Sequence, residues 1–191
     1  MLRVLGIDPG LTRCGVGVVD VSPTRTARLV HVGVIRTPPE FPLELRLLAI
    51  AEGIAAVLDE FEPATVGLER MFAQHNLRTV MGTAQASGVA LQVAASRGLT
   101  VGLHTPSEVK AAITGYGSAD KRQLGVMVAR VLDLDEVPRP ADAADALAIA
   151  ICHGWRAGTL NDTRRGRADG ATEPLTPAQR AWRDAEKAAR A

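Results

Sequence analysis

The chain is short of aromatic residues: among 191 residues there are two Trp, one Tyr and three Phe. Its core must therefore be built from Val, Leu, Ile and Ala, and the apolar share of 47% supplies enough of them. Cysteine is nearly missing, with only Cys14 and Cys152, which excludes a disulfide framework. With no export signal in view, both are expected as reduced thiols. Cys152 and His153 are adjacent, which is not zinc-ligand spacing, so Cys152 reads as a small buried residue. No apolar run is long enough to span a bilayer, and no charged leader precedes a cleavable apolar segment. The expectation is a cytoplasmic protein with no membrane partner. Net charge is also lacking, at +1, so binding to a polyanion would need a local basic patch.

What remains is an α/β pattern. Residues 2–8 form an apolar run that suits a central strand covered on both faces. Pro9-Gly10 breaks it, and runs at 15–21 and 29–35 follow with short connections, which predicts an antiparallel meander of three strands. Between 43 and 61 the apolar residues recur at three and four, the helical period. A short strand at 65–69, a helix at 77–96 rich in small residues, and a strand at 99–104 come next. Thr105-Pro106-Ser107-Glu108 is a strong helix start, with Thr105 as N-cap and Glu108 completing a capping box; that helix should end at Gly115. Ser118 is the expected cap of a helix over 119–132, and a last core helix runs from 141 to about 155. The predicted sheet is mixed: three antiparallel strands plus two parallel ones, flanked by helices. Residues 1–158 form the expected domain, and 159–191 read as a poorly ordered charged tail.

Four carboxylates sit at the ends of apolar runs. Asp8 and Glu69 close two strands, while Asp142 and Asp145 open the run 143–151. Each has a plain explanation. Asp-Pro-Gly is a good turn, Glu69 precedes an Arg, and acidic residues suit a helix's first turn. Together they are harder to dismiss. Asp142 and Asp145 share one helix face, and Asp8 and Glu69 become neighbours if their strands are parallel and adjacent. Four converging carboxylates repel one another and take up protons unless cations neutralise them. Two Mg²⁺ about 4 Å apart would do so and would also activate water against a phosphodiester. Magnesium needs only carboxylate, water and substrate oxygens, so the absence of His or Cys ligands is no obstacle.

Five separated motifs then carry a resemblance. They are Gly6-Ile7-Asp8-Pro9-Gly10-Leu11-Thr12 with Gly15; Glu69-Arg70-Met71-Phe72; Thr105-Pro106-Ser107-Glu108-Val109-Lys110; Gly117-Ser118-Ala119-Asp120-Lys121; and Ala141-Asp142-Ala143-Ala144-Asp145-Ala146-Leu147-Ala148-Ile149-Ala150. In this order the chain, over about residues 1–158, resembles the RuvC family of Holliday junction resolvases. The resemblance implies a ribonuclease H-like fold and a homodimer. It also implies Mg²⁺-dependent paired cutting of four-way junction DNA in recombination and repair, with Mn²⁺ as an alternative ion. By position it assigns Asp8, Glu69, Asp142 and Asp145 as catalytic, metal-binding residues. It also implies a partnership with the RuvA–RuvB branch-migration complex.

Lys110 and Lys121 match the family's basic residues that approach DNA. Lys121 falls in a helix's first turn, where a cation is disfavoured unless an anion is near, which points to a DNA phosphate there, with a solvated lysine as the ordinary alternative. Phe72 reads equally well as a core residue or as a platform for an unpaired base. Asn76 and Arg78, near it in sequence, are weaker candidates for the same DNA channel. The small residues Gly82, Ala86 and Gly88 permit close helix approach, either to the chain's own sheet or to a second copy. Symmetric cutting calls for two sites related by a two-fold axis.

The chief rival arises because Asp8-x-Gly10-x-Thr12-x-x-Gly15 also resembles the phosphate loop of the actin and sugar-kinase superfamily. Those proteins normally need two such domains and a second glycine-rich loop; 191 residues are short for that and show no convincing second loop, so this reading ranks well below the first. A junction binder without catalysis is opposed by the intact carboxylate set.

Overall fold

The structure, a computed structural model, describes residues 1–70 and 77–167, with side chains at 1–70 and 80–157. The chain divides into two compact units, Met1–Gly158 and Thr159–Ala191. In the first, β1 (Leu2–Asp8), β2 (Arg13–Val21) and β3 (Ala27–Arg36) form the expected meander. Then come α1 (Leu43–Phe61), β4 (Thr65–Glu69), α2 (Leu77–Ser96), β5 (Thr100–His104), α3 (Pro106–Thr114) and α4 (Lys121–Val131). The last helix, α5, spans Ala141–Arg167. The sheet order is β3-β2-β1-β4-β5, with β4 parallel to both β1 and β5. No helix among the described residues is long and apolar enough to cross a membrane.

Alternation along the strands sorts two cores. Leu5, Ile7, Val16, Val18, Val66 and Leu68 pack with Ile50 and Ile54 of α1 and Ala86, Ala90 and Ala94 of α2. Val4, Val19 and Val21 face the other way, toward Leu147, Ile149 and Ile151 of α5 and the buried residues of α3 and α4. Cys14 and Cys152 are free and buried, one in each core.

A row of glycines fixes how α5 sits. Gly17, Gly6, Gly67 and Gly102 are successive register partners across four strands. A Cβ at Gly6 would overlap the Ala146 carbonyl oxygen and stand 2.5 Å from the Ala150 nitrogen. At Gly17 it would meet Leu147 at 2.9 Å, and at Gly67 it would meet His153 Cβ at 2.8 Å. Gly15 extends this surface, since its Cβ would overlap the carbonyl of Asp142. At Gly6 and Gly15 no side chain stands between helix and strand, and the helix backbone rests directly on the sheet backbone. On that surface His153 joins the sheet through a buried chain. Its Nε2 lies 2.9 Å from Thr65 Oγ1, and its Nδ1 lies 2.9 Å from His104 Nε2.

Two helix ends and one packing face differ from expectation. Asp120, not Ser118, caps α4: its carboxylate accepts from the Gln123 amide at 2.8 Å, and Gln123 reciprocates by accepting from the Asp120 amide. Asp is as good a cap as Ser, and the partner three residues on decides between them. The last helix does not stop near 155 but continues to Arg167. No Pro interrupts that stretch. Gly82 and Ala86 serve the chain's own core: Ala86 is fully buried, and a Cβ on Gly82 would touch Leu11 at 3.1 Å. Only Gly88 of that trio faces open space.

Candidate active site

Asp8 and Glu69 come to the same end of the central strand pair because β1 and β4 run parallel from Val4↔Thr65 to Ile7↔Leu68. Both carboxylates fall on the strand face that carries Gly6 and Gly67, so they point toward the layer that holds α5. The glycine row lets the N-terminal end of α5 reach them, bringing Asp145 into one cleft of about 260 Å³ with Asp8 and Glu69. Lys110 of α3 and Lys121 of α4 line the same cleft, with Pro106, Val109, Leu124 and Ile149 as its apolar wall. The capping box expected at Thr105 and Glu108 is present and starts α3, the helix that carries Lys110.

The electrostatics are those of surplus negative charge in a poorly hydrated place. Burial, followed by the charges of Glu69, Asp145 and Asp142, pushes the Asp8 carboxyl up to about 8. Asp8 hydrogen-bonds Glu69, which is itself raised mainly by burial while that hydrogen bond holds it down. The pair thus favours holding a proton, with Asp8 the more strongly raised of the two. The other two carboxylates are neutralised by protein cations. Lys121 Nζ lies 3.1 Å from Asp145 Oδ2, and Arg13 Nε lies 3.0 Å from Asp142 Oδ2. Asp145 is thus the anion that a lysine in a first turn requires, and it raises the Lys121 ammonium through their hydrogen bond.

Asp142 shares the helix face but not the cleft, because Arg13 at the start of β2 holds it to one side. Arg13 was not legible as a site residue; its only signal was its place five residues after Asp8 in the turn motif. Among the described residues no three His, Cys, Asp or Glu side chains are grouped closely enough to hold a metal ion. The carboxylates are neighbours whose charges are met by one proton and two side-chain cations. Even so, the donor set suits a hard divalent ion: it is all carboxylate oxygen, and its anionic surplus is large enough to keep Asp8 protonated. Phe72 and Asn76 lie outside the described residues. Arg78 falls in the first turn of α2, and its side chain is not among those described.

A five-stranded mixed sheet of this order, with carboxylates at the ends of its central parallel pair and more delivered by a helix laid across it, is the ribonuclease H-like fold of nucleases. The profile described as crossover junction endodeoxyribonuclease RuvC matches residues 4–153. This chain belongs to the RuvC family. A relative of that name from Leifsonia xyli subsp. xyli is 68% identical over 193 residues, covering 97% of this chain and 92% of that protein. Among solved structures, the Thermus thermophilus RuvC in complex with Holliday junction substrate superposes with a TM-score of 0.80. It is 38% identical, over 84% of this chain and 97% of that one. The yeast mitochondrial Holliday junction resolvase Ydc2 shares the fold, with a TM-score of 0.63 at 13% identity, over 87% and 86% of the two chains. RuvC resolvases are metal-dependent nucleases.

Proposed function

We propose that this chain resolves four-way DNA junctions by cutting two strands symmetrically, with residues 1–158 as the nuclease unit and 159–191 as a charged tail. The observation that carries this reading is the single cleft shared by Asp8, Glu69, Asp145 and two lysines, on a chain 38% identical to a RuvC solved with its junction substrate. Asp8, Glu69, Asp142 and Asp145 are the residues proposed to hold one or two Mg²⁺, or Mn²⁺ in its place. When bound, the metal supplies an activated water and neutralises charge on the phosphodiester.

The chain's own residues then have distinct tasks. Asp8 must give up its proton to act as an anion, which ties activity to its raised pKa. Lys121 and Lys110 present positive charge at the rim of an otherwise acidic cleft, where a phosphate arrives. Phe72, Asn76 and Arg78 are proposed DNA contacts of the segment after β4. No covalent intermediate is involved.

A homodimer is supported by the outer face of α2, where Met81, Ala84, Gly88 and Leu91 are all exposed at spacings of three and four. That is the seam spacing of paired helices. Gly88→Arg should convert dimer to monomer in sedimentation and stop paired cutting; an unchanged dimer would assign the interface elsewhere. Cooperation with a RuvA–RuvB branch-migration complex in the cytoplasm is part of this proposal, supported by the family resemblance. The test of function is incubation with synthetic four-way, duplex and single-stranded DNA, with and without Mg²⁺. Paired nicks confined to the four-way substrate and dependent on metal are expected. Equal cutting of duplex would overturn the junction reading.

A further inference from the structure

We propose that Arg13 and Arg36 form a DNA-phosphate subsite beside the acidic cleft, on the β2–β3 side opposite Lys110 and Lys121. The proposal rests on the nuclease reading above and adds to it a place for the substrate's backbone. Arg13 and Arg36 are direct register partners on adjacent antiparallel strands, and both are exposed. Like charges in that position destabilise a sheet. Arg13 is partly met by Asp142, while Arg36 has no ion-pair partner among the described residues. Two guanidiniums side by side are tolerable when an anion bridges them, and a phosphodiester is the anion a nuclease meets.

The surroundings suit that ligand. Thr12, Arg13, Arg36, Thr37 and Pro38 line an open depression of about 450 Å³, with no carboxylate among them. A third guanidinium supports its floor: Arg46 donates from Nη2 to Thr12 Oγ1 at 2.8 Å and from Nε to Thr37 Oγ1 at 3.0 Å. Thr37 in turn donates to the Leu11 carbonyl, tying the depression to the turn that follows Asp8. The place is also connected to the cleft. Arg13 touches Asp142 at 3.0 Å, and Asp142 lies one helical turn from Asp145. A strand whose scissile phosphate lies at Asp8, Glu69 and Asp145 would therefore present neighbouring phosphates to lysines on one side and to arginines on the other. Contacts of this kind set position and register but do not read sequence.

The test is junction binding by the full chain in chelator, where no cutting intervenes, titrated with KCl. Each phosphate contact adds about 0.9 to the logarithmic salt slope, or a factor of about 3.5 in affinity across a fourfold rise in salt. Arg36→Gln should lower the slope by that amount, and Arg36→Lys should restore it. Arg28→Gln, an exposed arginine at the far end of β3, should leave the slope at the wild-type value. An unchanged slope in Arg36→Gln would overturn the proposal. So would an equal loss in Arg28→Gln, which would mean that any surface charge serves. If the wild type itself fails to bind the junction, the nuclease reading fails rather than the subsite.

Discussion

The two faces of the sheet are packed in different ways. Under α1 and α2, branched aliphatic side chains from both layers interdigitate, as in most α/β cores. Under α5, the glycines remove the strand side chains, so the helix backbone meets strand backbone at Gly6 and Gly15 and its Leu147 and His153 side chains seat on Gly17 and Gly67. The first arrangement can absorb a small change by shifting rotamers. Where backbone meets backbone, at Gly6 and Gly15, there are no rotamers to shift, so the height and axial position of α5 over the strand ends are fixed closely. The carboxylates depend on that face: Asp8 and Glu69 end two of the strands, and Asp142 and Asp145 ride on the helix. A site assembled from separate elements needs such precision, because a displacement of about 1 Å can cost a hundredfold in rate.

The comparison is broken most severely by adding one carbon to the rigid face. Gly6→Ala should destabilise the fold by about 3 kcal/mol or more, since overpacking against backbone has little room to relax. What protein folds should cut poorly. Denaturant unfolding combined with a cleavage assay checks both. A variant of wild-type stability would show that α5 can lift without cost.

The next effect concerns charge on the same face. Asp8 keeps its proton up to about pH 8 in the folded protein, against an ordinary value of 3.8. A carboxyl raised on folding contributes stability that is complete below its unfolded pKa and is lost as pH rises through the folded one. In chelator, the wild-type melting temperature should therefore fall between about pH 4 and pH 8, the interval set by that shift. Asp8→Asn should flatten the fall and raise the melting temperature near pH 8, while abolishing cleavage. An identical pH profile in the two proteins would mean that Asp8 is not the group that holds the proton.

The smallest effect belongs to the other face. Ile54→Val removes one carbon from the core beneath α1 and should cost about 1 kcal/mol. Cleavage at a temperature where both proteins are folded should be unchanged. A large loss of cleavage would show that the two faces are coupled after all.

Much of this was legible along the chain. The meander, the helix with small residues and the capping box at Thr105 follow from local spacing. The parallel pairing of β1 and β4 follows from alternating elements, and it places Asp8 beside Glu69. Less legible was what crosses between elements. The glycines at 6, 17, 67 and 102 look unrelated in sequence, and only register aligns them. Arg13 gave no sign that it would meet Asp142, which lies more than a hundred residues away. The first-turn position of Lys121 calls for an anion, yet nothing local in the sequence shows that Asp145, 24 residues on, supplies it. His104 and His153 carried no motif, because a buried histidine pair depends on one strand end and one helix turn meeting.

The cutting is assigned, as a proposal, to one acidic cluster at the end of the sheet. Asp145→Asn tests it most directly, since the change keeps the size of the side chain and removes the charge. Junction binding and cleavage should be measured together in Mg²⁺, for this variant and the wild type. The expected result is retained binding with cleavage reduced by several orders of magnitude. Cleavage at the wild-type rate would contradict the account.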